Sequence, residues 1–198
     1  VYNHTSSSGQ KTNSVLDKIV PGYYYRLSTS GTVETSTCCQ NTASERTMMA
    51  KLIRDSIRTW AVDYKVDGFR FDLMGHHPKA LMVQIRKDLD ALTIANSGVD
   101  GKKILLFGEG WNFGEVVDNS RFVNATQNNM AGTRVGTFDD RMRDAVRGGG
   151  PFDNDPRKQG FGSGINSAPN GASLSASTDD KLQQTDWVKA ALGGSVSN

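Results

Sequence analysis

An α/β fold with a parallel sheet is predicted by three observations. Strand-like and helix-like segments alternate along the chain as strand, helix, strand, helix, strand. The run KILLFGEGWN at 103–112 is almost continuously apolar, as expected of a parallel strand covered on both faces. Carboxylates stand near the C-terminal ends of two successive strands, where parallel α/β proteins build their sites. A doubly wound sheet and a (β/α)8 barrel both fit this order.

Taken along the chain, residues 1–4 read as the end of a strand, and 5–10 as a polar loop. Two β-prone runs in IVPGYYYRLSTSGTVETS (19–36) flank Ser30-Gly31, which predicts a surface hairpin. Thr42-Ala43-Ser44-Glu45 has the form of a capping box opening a helix. Met49, Ile53, Ile57, Trp60 and Tyr64 then follow at helical spacing as one apolar stripe, the mark of core packing. Lys65 and Asp67-Gly68 end that helix, and a strand at 66–73 follows. Pro78 suits a helix start, with the helix running over 80–95. A weaker third unit has its strand at 134–137 and its helix at 138–146. Gly148-Gly149-Gly150-Pro151 breaks the pattern, residues 152–178 read as a long loop, and a last helix occupies 179–192.

Composition narrows the function classes. With 23 Lys and Arg against 21 Asp and Glu, the net charge of +2 carries no sign of attraction to nucleic acid or to a membrane surface. No apolar run approaches the roughly 20 residues that span a bilayer. The 21 glycines predict long loops. No phosphate loop of the GxxxxGK[ST] or GxGxxG type is present. Cys38 and Cys39 are adjacent, which excludes a disulfide framework and a four-cysteine zinc site. Their Cα atoms lie about 3.8 Å apart, closer than an ordinary disulfide accepts. Two states remain: a vicinal disulfide, or two thiols on a loop.

The chemistry centres on VDGFRFDLMGHH (66–77). Strand alternation puts Gly68, Arg70 and Asp72 on one face and Phe69, Phe71 and Leu73 on the other. Burying an aspartate costs several kcal/mol unless it is paired, so an Arg and an Asp on one inward face need a reason. Glu109 stands 37 residues after Asp72, about one βα repeat. Neighbouring strands about 4.8 Å apart allow a carboxylate separation near 5 to 5.5 Å, that of a retaining glycosidase. Arg70 favours an ionised Asp72, as a nucleophile requires. Leu105, Phe107 and Trp111 give Glu109 the apolar setting that keeps an acid protonated. Trp111 and Tyr2 are candidates for stacking on sugar rings. On the residues alone, a structural Arg70–Asp72 ion pair with Glu109 as a loop residue fits the same spacing, and His4 reads as a satisfied structural histidine.

VYNH, DGFRFDLMGHHP and GEGWNFG stand in the order and spacing of the α-amylase superfamily of glycoside hydrolases. With GYYYRL, STCCQNTASE and GTFDDRMRDAVRGGGPFD, the chain resembles the bacterial type I pullulanases from Val1 to about Asp153. The resemblance implies an α/β fold that is part of a (β/α)8 TIM barrel, about strands 3 to 6. One partial catalytic domain then spans 1–198: a βα loop with a hairpin (1–41), the βα repeats carrying the site (42–147), and a Gly/Ser/Asn-rich loop with a final helix (148–198). It implies retaining hydrolysis of α-1,6-glucosidic bonds in pullulan and branched dextrins, with an α-glucan as partner. Asp72 matches the nucleophile, Glu109 the general acid/base, Arg70 the orienting arginine and His4 a sugar contact. Trp111 and Asn112 fall on a cleft loop. His76 and His77, which lack zinc-ligand spacing, become loop anchors or outer substrate contacts. No cofactor is required by the residues; Asn3 is a weak calcium candidate, because one oxygen falls far short of the 6–8 ligands calcium takes. The resemblance further implies a secreted or cell-surface bacterial protein.

The family's third carboxylate, an Asp following a His, has no counterpart in these 198 residues. A complete barrel takes about 250 residues. The expectation is an internal fragment that holds the nucleophile and the acid but is inactive alone. An isoamylase-like or α-1,4-specific enzyme, or a catalytically silent glucan-binding module, are the alternatives.

Overall fold

The computed structural model describes residues 1–194. The chain divides into two compact units, Val1–Phe138 and a second from Asp139 onward.

The first unit is a mixed α/β layer pair. Strand β1 (His4–Thr5) pairs antiparallel with β2 (Gln40–Asn41). Between them lie a short helix, α1 (Leu16–Ile19), and a tight hairpin reduced to one Leu27–Val33 bridge. Gly31 turns that hairpin with a φ of 80°, which glycine adopts without a Cβ clash. The predicted strand before Ser30 is likewise reduced to isolated bridges, the other being Tyr25 with Thr42, which ties it to the end of β2. Helix α2 (Thr47–Val62) leads into β3 (Gly68–Phe71), then α3 (Lys79–Asp90), α4 (Ile94–Ser97) and β4 (Leu105–Gly108). A two-residue β5 (Gly136–Thr137) completes a sheet of order β3-β4-β5. Both pairings are parallel, with Arg70 opposite Phe107, Phe71 opposite Gly108 and Phe107 opposite Gly136. No helix among the described residues is long and apolar enough to cross a membrane.

The core lies on one face of this sheet. Met49, Ile53, Ile57 and Ala61 of α2 and Met82, Ile85 and Leu89 of α3 pack with Phe71 and Leu106. The apolar stripe thus ends on Ala61. Trp60 and Tyr64 are exposed and cover each other, with ring centroids 4.6 Å apart. The helix begins at Thr47 without a side-chain cap, so the Thr42–Glu45 segment is not its capping box. Those side chains are engaged elsewhere. Thr42 Oγ1 donates to the Tyr2 carbonyl, Ser44 Oγ meets His77 Nδ1, and Glu45 binds Arg26. The second helix divides at Asp90, because Thr93 and Asn96 form a capping box that starts α4.

The opposite face of the sheet is open. Leu105 is 66% exposed and Phe107 37%, with Arg70 beside them. Burial of both faces of these strands does not hold within this chain, because helices cover only one.

In the second unit, α5 (Asp140–Arg147) is capped by the Asp139 carboxylate, and α6 (Thr178–Leu192) by a Ser177–Asp180 capping box. Between them runs a long loop rich in turns. Ala145 of α5, Ile165 of the loop and Val188 of α6 are the buried apolar side chains among the described residues of this unit.

Candidate functional site

The parallel register sets the site. Because Phe71 faces Gly108, the next residues on each strand, Asp72 and Glu109, leave the sheet side by side. The Glu109 amide still donates to the Phe71 carbonyl, and Phe138 N–H to the Gly108 carbonyl, so three strand ends stay in register. Arg70 stands between the carboxylates. One terminal nitrogen lies 2.5 Å from Glu109 Oε1, the other 3.7 Å from Asp72 Oδ1. The expected pairing of Arg70 with Asp72 is therefore its longer contact, and Glu109 takes the short one. Glu109 is buried, and its second oxygen accepts the Leu73 backbone N–H at 2.9 Å.

Leu73 presents that N–H from a left-handed backbone, φ 44° and ψ 51°. For a leucine this costs roughly 1 kcal/mol or more, so the conformation is held by its surroundings. Phe138, at the end of β5, places its ring 5.4 Å from the Arg70 guanidinium carbon. Sequence reasoning missed this partner, having read Phe138 only as a helix start.

The remaining predicted residues lie around this centre in different settings. Trp111 is half-buried, and its backbone presses on the turn after β3. A Cβ at Gly75 would stand 1.9 Å from the Trp111 carbonyl oxygen, which leaves glycine as the residue that fits. Asn112 anchors its own loop: its side chain donates to Asp118 Oδ1 at 2.7 Å and accepts from the Asp118 amide. Tyr2 packs on the core side, 5.6 Å from the Phe71 ring, with its hydroxyl on Ser56. His76 and His77 are both buried. His77 Nδ1 hydrogen-bonds with Ser44 at 2.7 Å and its ring packs edge-on to Phe71; His76 meets Ser36 and lies 4.5 Å from the Phe113 ring. His77 is thus fully buried against Ser44 and Phe71. Burial pushes the His77 imidazole down to about 3. It takes His76 to about 4, with Glu115 opposing and Arg26 reinforcing the shift.

His4 makes no hydrogen bond or ion pair with Asp72 or Glu109. Its Nδ1 is 2.8 Å from Asn3 Nδ2 and its Nε2 3.3 Å from Cys38 Sγ. Cys38 and Cys39 are joined as a vicinal disulfide. Asn3 Oδ1 is buried without a partner, but the neighbouring His4, Cys38 and Cys39 offer nitrogen and sulfur. That donor set does not fit calcium, which takes oxygens.

A buried network unread in the sequence holds the loop after Glu109. Arg26, 1% exposed, pairs with Glu45 at 2.9 Å and with Glu115 at 2.8 Å, and donates to the His76 carbonyl. Glu115 also accepts from Asn41 and Ser36. Burial raises the Glu115 carboxyl, but donors from Ser36, Arg26 and Asn41 outweigh it and hold it at about 2.

These features define a mixed α/β protein with an arginine-bridged carboxylate pair at adjacent parallel strand ends. No family model matches the chain. It is nevertheless a homologue of the pullulanases. It is 54% identical over 171 residues to the chloroplastic pullulanase 1 of Arabidopsis thaliana, which covers 86% of this chain. It is 46% identical over its whole length to the pullulanase of Klebsiella pneumoniae. In each case the match spans about 18% of the relative's length. The crystal structure of PulA from Klebsiella oxytoca superposes on all of this chain with a TM-score of 0.89 at 46% identity, over 18% of its own length. A maltotriose complex of PulA from Klebsiella pneumoniae gives 0.88 at 46% identity, over 20%.

Proposed function

We propose that this chain carries the nucleophile and the general acid/base of a retaining debranching glycoside hydrolase, within part of a (β/α)8 barrel. The observation that carries the reading is Arg70 bridging Asp72 and Glu109 at neighbouring strand ends. Asp72 attacks the anomeric carbon of an α-1,6-linked glucosyl unit to form a covalent glycosyl-enzyme. Glu109 protonates the leaving oxygen and then removes a proton from the incoming water. Arg70 fixes both carboxylates through its rigid fork of donors.

The barrel reading is supported by the sheet. Among the described residues, β3 and β5 are each paired on one side only, and the face bearing Leu105, Phe107 and Arg70 is open to solvent. An open barrel lacks a walled cleft, so the chain alone is expected to release no maltotriose from pullulan. The maltotriose complex of the Klebsiella protein favours an α-glucan as substrate. Residence outside a bacterial cell rests on the family resemblance alone, and the chloroplastic relative gives it no support.

The test is a chimera in which this chain replaces the matching segment of the Klebsiella pneumoniae pullulanase. Pullulan hydrolysis is expected in the chimera and a loss of about 10³-fold or more in Asp72→Asn and in Glu109→Gln. Full activity in either variant sinks the assignment.

A further inference from the structure

His4, Cys38 and Cys39 place one imidazole nitrogen and two sulfurs within 4.8 Å of one another. They are the one such cluster of three metal-capable side chains among the described residues, and the glucan reading leaves the sulfurs unused. The β1–β2 pairing sets His4 opposite Asn41, which brings the two residues just before β2 onto the imidazole. Nε2 stands 3.3 Å from Cys38 Sγ. Around tetrahedral zinc, with bonds of about 2.0 Å to nitrogen and 2.3 Å to sulfur, N and S are about 3.5 Å apart. One edge of a coordination site is therefore already at ligand spacing. The sulfurs are joined in the oxidised form, and Cys38 is exposed where a small reductant reaches it.

We propose that the dithiol form of Cys38 and Cys39, together with His4, is a Cys2His site for a thiophilic divalent cation such as zinc or cadmium, its fourth position left to water. A phosphine gives two electrons to the S–S bond, and water supplies the oxygen of the phosphine oxide and two protons for the thiols. On binding the cation both thiols release their protons, and two S–metal bonds and one N–metal bond form. Thiolate pairs select such soft or borderline ions over calcium and magnesium. Asn3 completes the arrangement. It is 2% exposed, with Nδ2 on His4 Nδ1 and Oδ1 unpartnered. A half-turn of its amide exchanges these two atoms, so that Oδ1 accepts from Nδ1–H and Nε2 turns its lone pair to the metal. Metal-bound histidines characteristically have such an acceptor behind them.

The experiment titrates the purified chain with cadmium after phosphine reduction, and again in the oxidised form, following thiolate-to-metal absorbance. It reads metal binding alone, so its outcome is independent of glucan cleavage. Saturable one-to-one binding only after reduction is expected, lost in Cys38→Ser/Cys39→Ser and at least about tenfold weaker in His4→Ala. Equal binding by the oxidised chain, no saturable binding after reduction, or unchanged affinity in His4→Ala overturns the site. The comparison of oxidised with reduced chain needs no substitution and stands even where a variant misfolds.

Discussion

Lowering the pH from 7 to 5 is expected to destabilise the chain through its two buried histidines. In the unfolded chain a histidine titrates near 6.5, whereas burial holds His76 at about 4 and His77 at about 3. The folded state therefore keeps both rings neutral while the unfolded state takes up protons. A folded pKa below the unfolded one means that stability is full above 6.5 and falls as the pH drops toward the folded values. At pH 5 this amounts to roughly 2 kcal/mol for each ring, about 4 kcal/mol together, against a typical total of 5–15 kcal/mol. Glu115 acts in a lower window: held at about 2, it contributes in full above its unfolded value near 4.5 and loses that contribution as the pH falls from there through about 2. Urea unfolding at pH 7 and pH 5 measures the change. The chain has three histidines, so an imidazole-edited NMR titration resolves which rings stay neutral. A loss below about 1 kcal/mol, or a midpoint above about 6 for either buried ring, refutes the reasoning.

Gly75→Ala is expected to destabilise by about 3 kcal/mol, because the added methyl meets the Trp111 carbonyl; Gly171→Ala, with open space around it, serves as the control in denaturant melts. Glu115→Ala leaves the buried Arg26 with one carboxylate and is expected to cost about 3 kcal/mol in urea unfolding. Arg54→Ala breaks only a surface pair with Asp88, at about 0.5 kcal/mol or less by the same measurement.

Of the parallel strands, β3 was readable from the alternation of side chains in 66–73, and β4 as a short, almost continuously apolar run after a helix. The start of α3 was readable from Pro78, but its end at Asp90 was not; α6 lies within a residue of its expected bounds. Where local signals served a distant partner, the reading failed. Thr42, Ser44 and Glu45 look like a helix cap, but Tyr2, His77 and Arg26 compete for their polar atoms and win. Arg26 and Glu115 are 89 residues apart, and no spacing rule links them. Asp72 and Glu109 were legible because one repeat separates them on adjacent strands. The division of Arg70 between them was not, since it depends on side-chain reach across the register and on Phe138.

The two strand ends hold each other's chemistry. Asp72 directly follows β3, yet Arg70 of that strand and the Leu73 amide just beyond it grip Glu109, which directly follows β4. The loop that follows β4 in turn lays the Trp111 backbone over Gly75, in the turn that follows β3. The Gly75 amide returns a hydrogen bond to the Glu109 carbonyl at 2.9 Å. Arg26 clamps the same two loops again through Glu115 and the His76 carbonyl. A displacement of either strand end therefore breaks contacts on both carboxylates at once. This explains why a leucine is kept in a left-handed backbone: relaxing Leu73 withdraws the donor from Glu109, and Glu109 shares its arginine with Asp72. Reciprocal fixing of this kind is what the proposed nucleophile and acid/base roles of the two carboxylates require.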